Sequence, residues 1–218
     1  QMLREALDNT FDATFLGEES GGELDSSGRV WVVDPIDGTV NYAHGIPNWC
    51  VSIGLVENGR SILGVIFDPN RNELFTAFKG GGAHCNGNPI AVSSCDQVSD
   101  ALLVTGFPYN IAENPHAAID LFAKVVGQGI AVRRFGSAAL DLAWLAAGRF
   151  DGFWEVALQP WDVAAGILIA TEAGGTISSY GAPAKTTAND ADIIVDRVLG
   201  SNGHLNAELH RLLFDPAG

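Results

Sequence analysis

Basic residues are scarce in this chain: 12 Lys and Arg stand against 26 Asp and Glu, a formal net charge of −14. A surface of that sign repels a polyphosphate backbone, so nucleic acid is not expected as a main partner. Cysteine is scarcer still. Cys50, Cys85 and Cys95 cannot all pair and show no CxxC spacing, which argues against a disulfide framework and against a zinc or dithiol motif. They read as buried thiols of a cytoplasmic protein. No run of eighteen apolar residues occurs, the longest candidate around Trp144 being broken by Asp141 and Arg149, and no basic start leads into an apolar stretch. Neither a membrane span nor a leader is expected. Internal repeats, low-complexity tracts and the strict glycine period of a collagen are also missing. The first residue is Gln1 rather than Met, inside what reads as a helix from Gln1 to Leu7, so residues upstream are expected to be absent.

What is present is the composition of a folded protein: 218 residues, 47% hydrophobic and 17% charged. A chain of this length hides about 70% of its unfolded surface, enough for one domain or two small ones. The excess of carboxylates fits a solvated acidic surface or a chain that collects divalent cations, and composition leaves both open. Arg29 to Asp34 is a short apolar run bounded by Gly28 and Pro35, which predicts a buried strand ending at Asp34. Val51 to Val56 and Ser61 to Phe67 flank Asn58-Gly59, a tight-hairpin dipeptide, and Glu73 to Phe78 completes an antiparallel meander. Gly80-Gly81-Gly82 follows a strand without a GK[ST] and reads as a sheet-edge turn.

The second half alternates. Strands at 101–105, 130–135, 152–156 and 175–178 are separated by helices at 117–126, 138–147 and 163–173, with a last strand at 192–195 and a helix at 204–214. This rhythm predicts a layered α/β arrangement. The change of rhythm near Pro108 and Pro115 suggests an N-terminal α+β subdomain over residues 1–112 and a C-terminal α/β subdomain over 113–218.

Carboxylates carry the chemistry. Asp34 and Asp37 lie in Asp34-Pro35-Ile36-Asp37-Gly38-Thr39, where Pro35 fixes one φ and Gly38 permits an unusual one, so the two acids can turn toward a common point. Oxygen ligands on a rigid turn suit magnesium, which keeps waters and accepts substrate phosphate. The backbone N–H groups of Gly38 and Thr39, opening a short helix, can face a phosphate. Asp162 stands at the start of a helix, where an acid is ordinarily a cap. Glu18-Glu19-Ser20-Gly21-Gly22 reads as an acidic turn after a short strand.

Taken together, Asp34-Pro35-Ile36-Asp37-Gly38-Thr39-Val40-Asn41-Tyr42 and Trp161-Asp162-Val163-Ala164-Ala165-Gly166 resemble the two signature motifs of the inositol monophosphatase family, and Gly17-Glu18-Glu19-Ser20 matches a third in the expected order. The likeness runs from about Phe15 to the C-terminal helix. It implies the layered αβαβα sugar-phosphatase fold, an α/β (α+β) architecture with an antiparallel-rich first half. It also implies magnesium-dependent hydrolysis of a phosphate monoester with two or three ions. Glu18, Asp34 and the Ile36 carbonyl would bind one ion, and Asp34, Asp37 and Asp162 a second. Glu18 and Thr39 would orient the attacking water, and Gly38 with Thr39 would hold phosphate oxygens. Gly136-Ser137-Ala138 resembles the turn that contacts substrate. Glu155 matches an acid that accepts hydrogen bonds from a polyol, against the plainer reading of a strand-end charge in solvent.

Inositol monophosphate or a similar polyol phosphate is the implied substrate, with histidinol phosphate, fructose 1,6-bisphosphate and nucleotide 3′-phosphates as alternatives. A homodimer and inhibition by lithium are implied too. Family members carry upstream helices, one of which supplies a further acid beside Thr39. Their expected absence raises the alternative of a catalytically impaired chain that still binds metal and phosphate.

Overall fold

A computed structural model describes residues 2–7, 10, 12–19, 21, 28–179, 193 and 197–214. After a short helix α1 (Met2–Leu7) and strand β1 (Thr14–Gly17) come β2 (Arg29–Asp37), helix α2 (Thr39–Ala43), β3 (Cys50–Glu57), β4 (Arg60–Asp68), β5 (Glu73–Phe78), β6 (Ala83–Cys85) and β7 (Asn88–Pro89). These strands form one sheet in chain order, parallel between β1 and β2 and antiparallel thereafter. The expected meander is therefore present and longer than expected. Strand β8 (Leu102–Thr105), helix α3 (His116–Gly127), β9 (Ala131–Arg133), α4 (Ala138–Ala146), β10 (Gly152–Val156), α5 (Pro160–Glu172), β11 (Thr176–Ser179), β12 (Arg197–Ser201) and α6 (Asn206–Phe214) follow. The second sheet has the order β11-β12-β10-β8-β9. The change of sheet falls between Pro89 and Leu102, so β8 joins the second sheet ahead of residue 112. The strand expected at 192–195 lies almost wholly outside the described residues.

Period-two alternation sorts the first sheet's residues onto its faces. Trp31, Val33 and Leu55 pack with Leu7 on one side, while Val30, Val32 and Val56 meet Ala164 of α5 on the other. Helices α4 and α5 fill the space between the sheets with the largest apolar cluster, and α3 and α6 cover the outer face of the second sheet. The layers are thus α, β, α, β, α. Of the cysteines only Cys50 is fully buried; Cys85 and Cys95 are half-buried, because β6 and the segment after β7 lie nearer the edge.

Helix α5 sits unusually close to the first sheet. A Cβ on Gly54 would stand 2.9 Å from Ala164 Cβ, one on Gly64 2.8 Å from the Ala165 carbonyl oxygen, and on the helix's other side one on Gly166 2.7 Å from Leu142. Hydroxyls tie the same contact, Ser52 Oγ donating to the Trp161 carbonyl at 3.2 Å and Ser61 Oγ to that of Ala164 at 2.7 Å. Gly64→Ala is accordingly expected to cost about 1–3 kcal/mol, read from urea unfolding. An unchanged midpoint would mean that the helix does not rest on the strand backbone.

Candidate active site

Strand β2 does not end at Asp34. It continues to Asp37, and the register against β3 shifts between the two acids: Asp34 faces Ser52 and Asp37 faces Cys50. Three residues of β2 thus span two of β3, which is a bulge. Its consequence is decisive. Without the extra residue Asp34 and Asp37 would point to opposite faces of the sheet; with it they share the face that meets α4 and α5. Pro35, which cannot donate to a ladder, sits where pairing is interrupted.

Each acid is then held by its surroundings. Asp34, 3% exposed, accepts the Ile36 N–H at 2.9 Å. Asp37 Oδ2 accepts from Ser137 Oγ at 2.6 Å and from the Ala139 N–H at 2.8 Å, with the Cys50 thiol at 3.7 Å. Asp37 from the first half thereby caps α4 of the second half, whose own cap residue, Ser137, gives its hydroxyl to Asp37 instead of to its helix. Asp162 is not the N-cap of its helix. Pro160 opens α5 and Asp162 is its third residue, one turn earlier than expected, because Pro suits the first helical position. Its Oδ2 accepts the Gln159 N–H at 2.7 Å.

Asp34, Asp37 and Asp162 each offer a carboxylate oxygen, and these three atoms all lie within 4.8 Å of one another. An all-oxygen, acidic set of this kind fits a hard dication. Glu18 stands exposed in the turn after β1, its N–H donating to the Val33 carbonyl at 3.4 Å. Ser20 and Gly22 lie outside the described residues. The Ile36 carbonyl accepts the Thr39 hydroxyl at 3.2 Å.

Like charges at short range in a buried place disfavour ionisation. Burial first, then the charge of Asp37, pushes Asp34 up to about 8, with Glu18 and Asp162 adding to it and the Ile36 N–H opposing. Asp162 is pushed to about 7 by burial and by Asp37 and Glu18, against the Gln159 N–H. Asp37 is raised by burial, while Ser137, Ala139 and Cys50 pull the other way.

The remaining expected residues line the same region. Gly38 has φ 94°, and a Cβ there would meet the Asn48 carbonyl oxygen at 3.0 Å and that of Gly136 at 3.2 Å, so the turns at 38 and 136 touch. Of Gly136-Ser137-Ala138, only Gly136 is exposed; Ser137 and Ala138 are buried behind Asp37. Glu155 is not a strand-end charge in solvent. It is 8% exposed on β10, and burial, then Asp37 and Asp162, push it to about 8 against the pull of Arg134.

Sequence reasoning passed over two residues. Asn41 donates through Nδ2 to the carbonyls of Asn48 at 2.8 Å and Phe135 at 2.7 Å, pinning the motif helix to the second half. Gly106 leaves room for Glu155, whose Oε1 would lie 2.1 Å from a Cβ there. Asn41 lies inside the Asp34–Tyr42 motif and is visible in the sequence; Gly106 carries no local signal.

Residues 1–214 match the model of the inositol monophosphatase family. The chain belongs to that family. Inositol-1-monophosphatase of Synechocystis sp. is 42% identical over 204 residues, covering 93% of this chain and 69% of that protein. Nus factor SuhB of Pseudomonas aeruginosa is 43% identical over 186 residues, 83% of this chain and 69% of its own. Among solved structures, inositol monophosphatase from Anabaena (Nostoc) sp. PCC 7120 superposes with a TM-score of 0.85 at 42% identity, over 97% of this chain and 81% of that one. Inositol monophosphate-bound SaIMPase-II does so at 0.82 and 28%, over 99% and 81%. The chain spans 69% of the length of these two curated relatives and 61% to 63% of that of further SuhB proteins it matches. The layered fold and the phosphatase class read from the motifs hold, and no helix among the described residues is long and apolar enough to cross a membrane.

The crowded acids give the metal-free protein a definite pH response. Unfolded, the Asp34 carboxyl loses its proton near its ordinary 3.8; folded, it keeps it to about 8. The folded state binds the extra proton in that window, so its stability falls as pH rises through it. With chelator present, the melting temperature of the parent chain is expected to drop from about pH 5 to about pH 8, and Asp34→Asn to melt higher than the parent at the upper end. A parent profile that rises with pH would contradict this electrostatic reading.

Proposed function

We propose that this chain hydrolyses the phosphate monoester of a small polyol or sugar, inositol monophosphate being the nearest fit, with two or three magnesium ions as cofactor. The observation that carries the proposal is the convergence of Asp34 and Asp37, both buried, with the half-buried Asp162 in an all-oxygen cluster. Their mutual repulsion is what a dication relieves. Glu18, Asp34 and the Ile36 carbonyl would hold one ion, and Asp34, Asp37 and Asp162 another, with Asp34 shared. A cation held there would supply a lowered pKa for a bound water and an offset for charge on the leaving oxygen.

The chain's own groups do the remaining work. Glu18 and Thr39 orient the attacking water from the rim of the cluster, and the N–H groups of Gly38 and Thr39 receive phosphate oxygens. The alcohol portion lies toward Gly136, with Ser137 and Ala138 shaping that turn from behind. Glu155 accepts hydrogen bonds from its hydroxyls. Burial and neighbouring acids hold Glu155 protonated in the bare protein, and relief of the Asp37 and Asp162 charges favours the carboxylate, the stronger acceptor.

Inositol monophosphate is what the solved SaIMPase-II holds, which supports the substrate class. The name Nus factor belongs to the SuhB relatives; for this chain the charge of −14 disfavours direct binding to nucleic acid. A cytoplasmic homodimer inhibited by lithium completes the proposal.

Phosphate release from inositol 1-phosphate, histidinol phosphate, fructose 1,6-bisphosphate, a nucleotide 3′-phosphate and an aryl phosphate tests it. Turnover is expected with magnesium and is lost in chelator. Asp34→Asn is expected to lower kcat by more than about tenfold. Glu155→Gln is expected to lower kcat/KM for the inositol substrate by about five- to thirtyfold and to leave the aryl phosphate almost untouched. Full turnover in chelator would end the metal reading. Equal loss on both substrates would move Glu155 from the alcohol to the reacting centre. Metal binding without turnover would leave the impaired chain as the answer.

A further inference from the structure

We infer that Ser137 is a positioning residue for the metal site: its hydroxyl, with the Ala139 N–H and the Cys50 thiol, occupies one oxygen of Asp37 and leaves the other as the single oxygen that Asp37 offers a dication. The inference rests on the metal-dependent reading above and deepens it. Resemblance points to the Gly136-Ser137-Ala138 turn as a substrate contact, yet the Ser137 hydroxyl is turned inward. The residue is 2% exposed, and its Oγ donates to Asp37 Oδ2 at 2.6 Å, the short distance of a hydroxyl bonded to a carboxylate. The same Oδ2 accepts the Ala139 N–H at 2.8 Å. Cys50, paired with Asp37 across the ladder on β3, brings its thiol to 3.7 Å from that atom. Donors from three places in the chain thus converge on one oxygen.

A carboxylate oxygen has about two lone-pair sites, and the protons from Ser137 and Ala139 fill both on Oδ2. A cation is left with Oδ1. Magnesium demands near-ideal octahedral geometry, so a carboxylate that cannot swing between one-oxygen and two-oxygen binding is an advantage. The frame around it is fixed. Helix α4 is buried along its whole length from Ala138 to Ala146, and its Leu142 stands 2.7 Å from a Cβ placed on Gly166 of α5, the helix that carries Asp162. The Phe135 carbonyl ahead of the turn is held by Asn41 Nδ2 at 2.7 Å. The single proton of Ser137 is spent on Asp37, so the hydroxyl has none to give a substrate, and in its 3.8 Å contact with Cys50 the thiol is the donor. Without that hydroxyl, Oδ2 regains a lone pair and the carboxylate can turn. The thiol, a weak donor, does not replace it.

Magnesium affinity, measured by calorimetric titration of the chelator-treated chain, tests the inference without recourse to turnover. Ser137→Ala is expected to weaken binding by about ten- to hundredfold. Ser137→Thr keeps the hydroxyl and is expected to stay within about threefold of the parent, while Ser137→Cys, with a weaker donor, falls between. Should Ser137→Ala not fold, the Thr and Cys variants carry the comparison. In phosphate release, the deficit of Ser137→Ala is expected at limiting magnesium and to be recovered at saturating magnesium, with KM for inositol 1-phosphate and for an aryl phosphate close to the parent's. Parent affinity in the Ala and Cys variants, or a Thr variant as weak as Ala, overturns the inference. So does a lower melting temperature of metal-free Ser137→Ala with its magnesium affinity intact, which makes the hydroxyl a support of the helix alone. A rise in KM confined to the inositol substrate with affinity intact returns Ser137 to the alcohol and overturns it as well. Each of these results leaves the phosphatase reading standing. The ordered series in a chain that hydrolyses no phosphate ester upholds the inference and ends the phosphatase reading, and a parent chain that binds no magnesium ends both.

Discussion

The close seat of α5 on the backbone of β3 and β4 is the constraint on which the site depends. Asp162 is near the first turn of that helix, and its distance from Asp34 is set by how near the helix can come to the sheet. Two glycines on the strands and one on the helix remove the side chains that would hold the layers apart, and Ser52 and Ser61 bond the helix backbone directly. A gap of one methyl group here is comparable to the whole latitude a shared cation allows its ligands. Packing that looks purely structural therefore sets the spacing of the acids proposed to hold the metal.

The second constraint is electrostatic. Burying several carboxylates together costs free energy, and the fold meets that cost unevenly. Asp37 receives the most help, from the start of α4, from Ser137 and from Cys50; Asp34 and Asp162 each have one backbone N–H and otherwise repel their neighbours. The cluster is thus stable enough to fold and unsatisfied enough to seek positive charge. Because Asp37 caps a helix of the opposite half and Asn41 pins the motif to the Phe135 carbonyl, the two halves meet through the site itself. Separating them would dismantle it.

Much of this was legible in the chain. The Asp34–Thr39 segment declared a rigid acidic turn through Pro35 and Gly38, and β5 and β10 have the boundaries that the apolar pattern predicts. The illegible parts share a cause. That a bulge rather than a strand end brings Asp37 onto the face of Asp34 is visible only in the register against β3. Resemblance points to Ser137 as a substrate contact; that its hydroxyl is bonded to an acid a hundred residues earlier is visible only in the fold. Gly54, Gly64 and Gly106 are ordinary glycines in the sequence and become meaningful only beside Ala164, Ala165 and Glu155. Local patterns report local geometry; these contacts join segments that no short window contains.

The central claim is that the raised acids exist to be discharged by a cation. Calorimetric titration of the metal-free chain with magnesium, in buffers of different ionisation enthalpy, measures binding and proton release together. At about pH 6 the Asp34 and Asp162 carboxyls hold protons that binding must expel, so release of about one proton or more is expected, falling toward zero by about pH 9. Absence of binding heat, or binding at the lower pH with no proton released, would contradict the account.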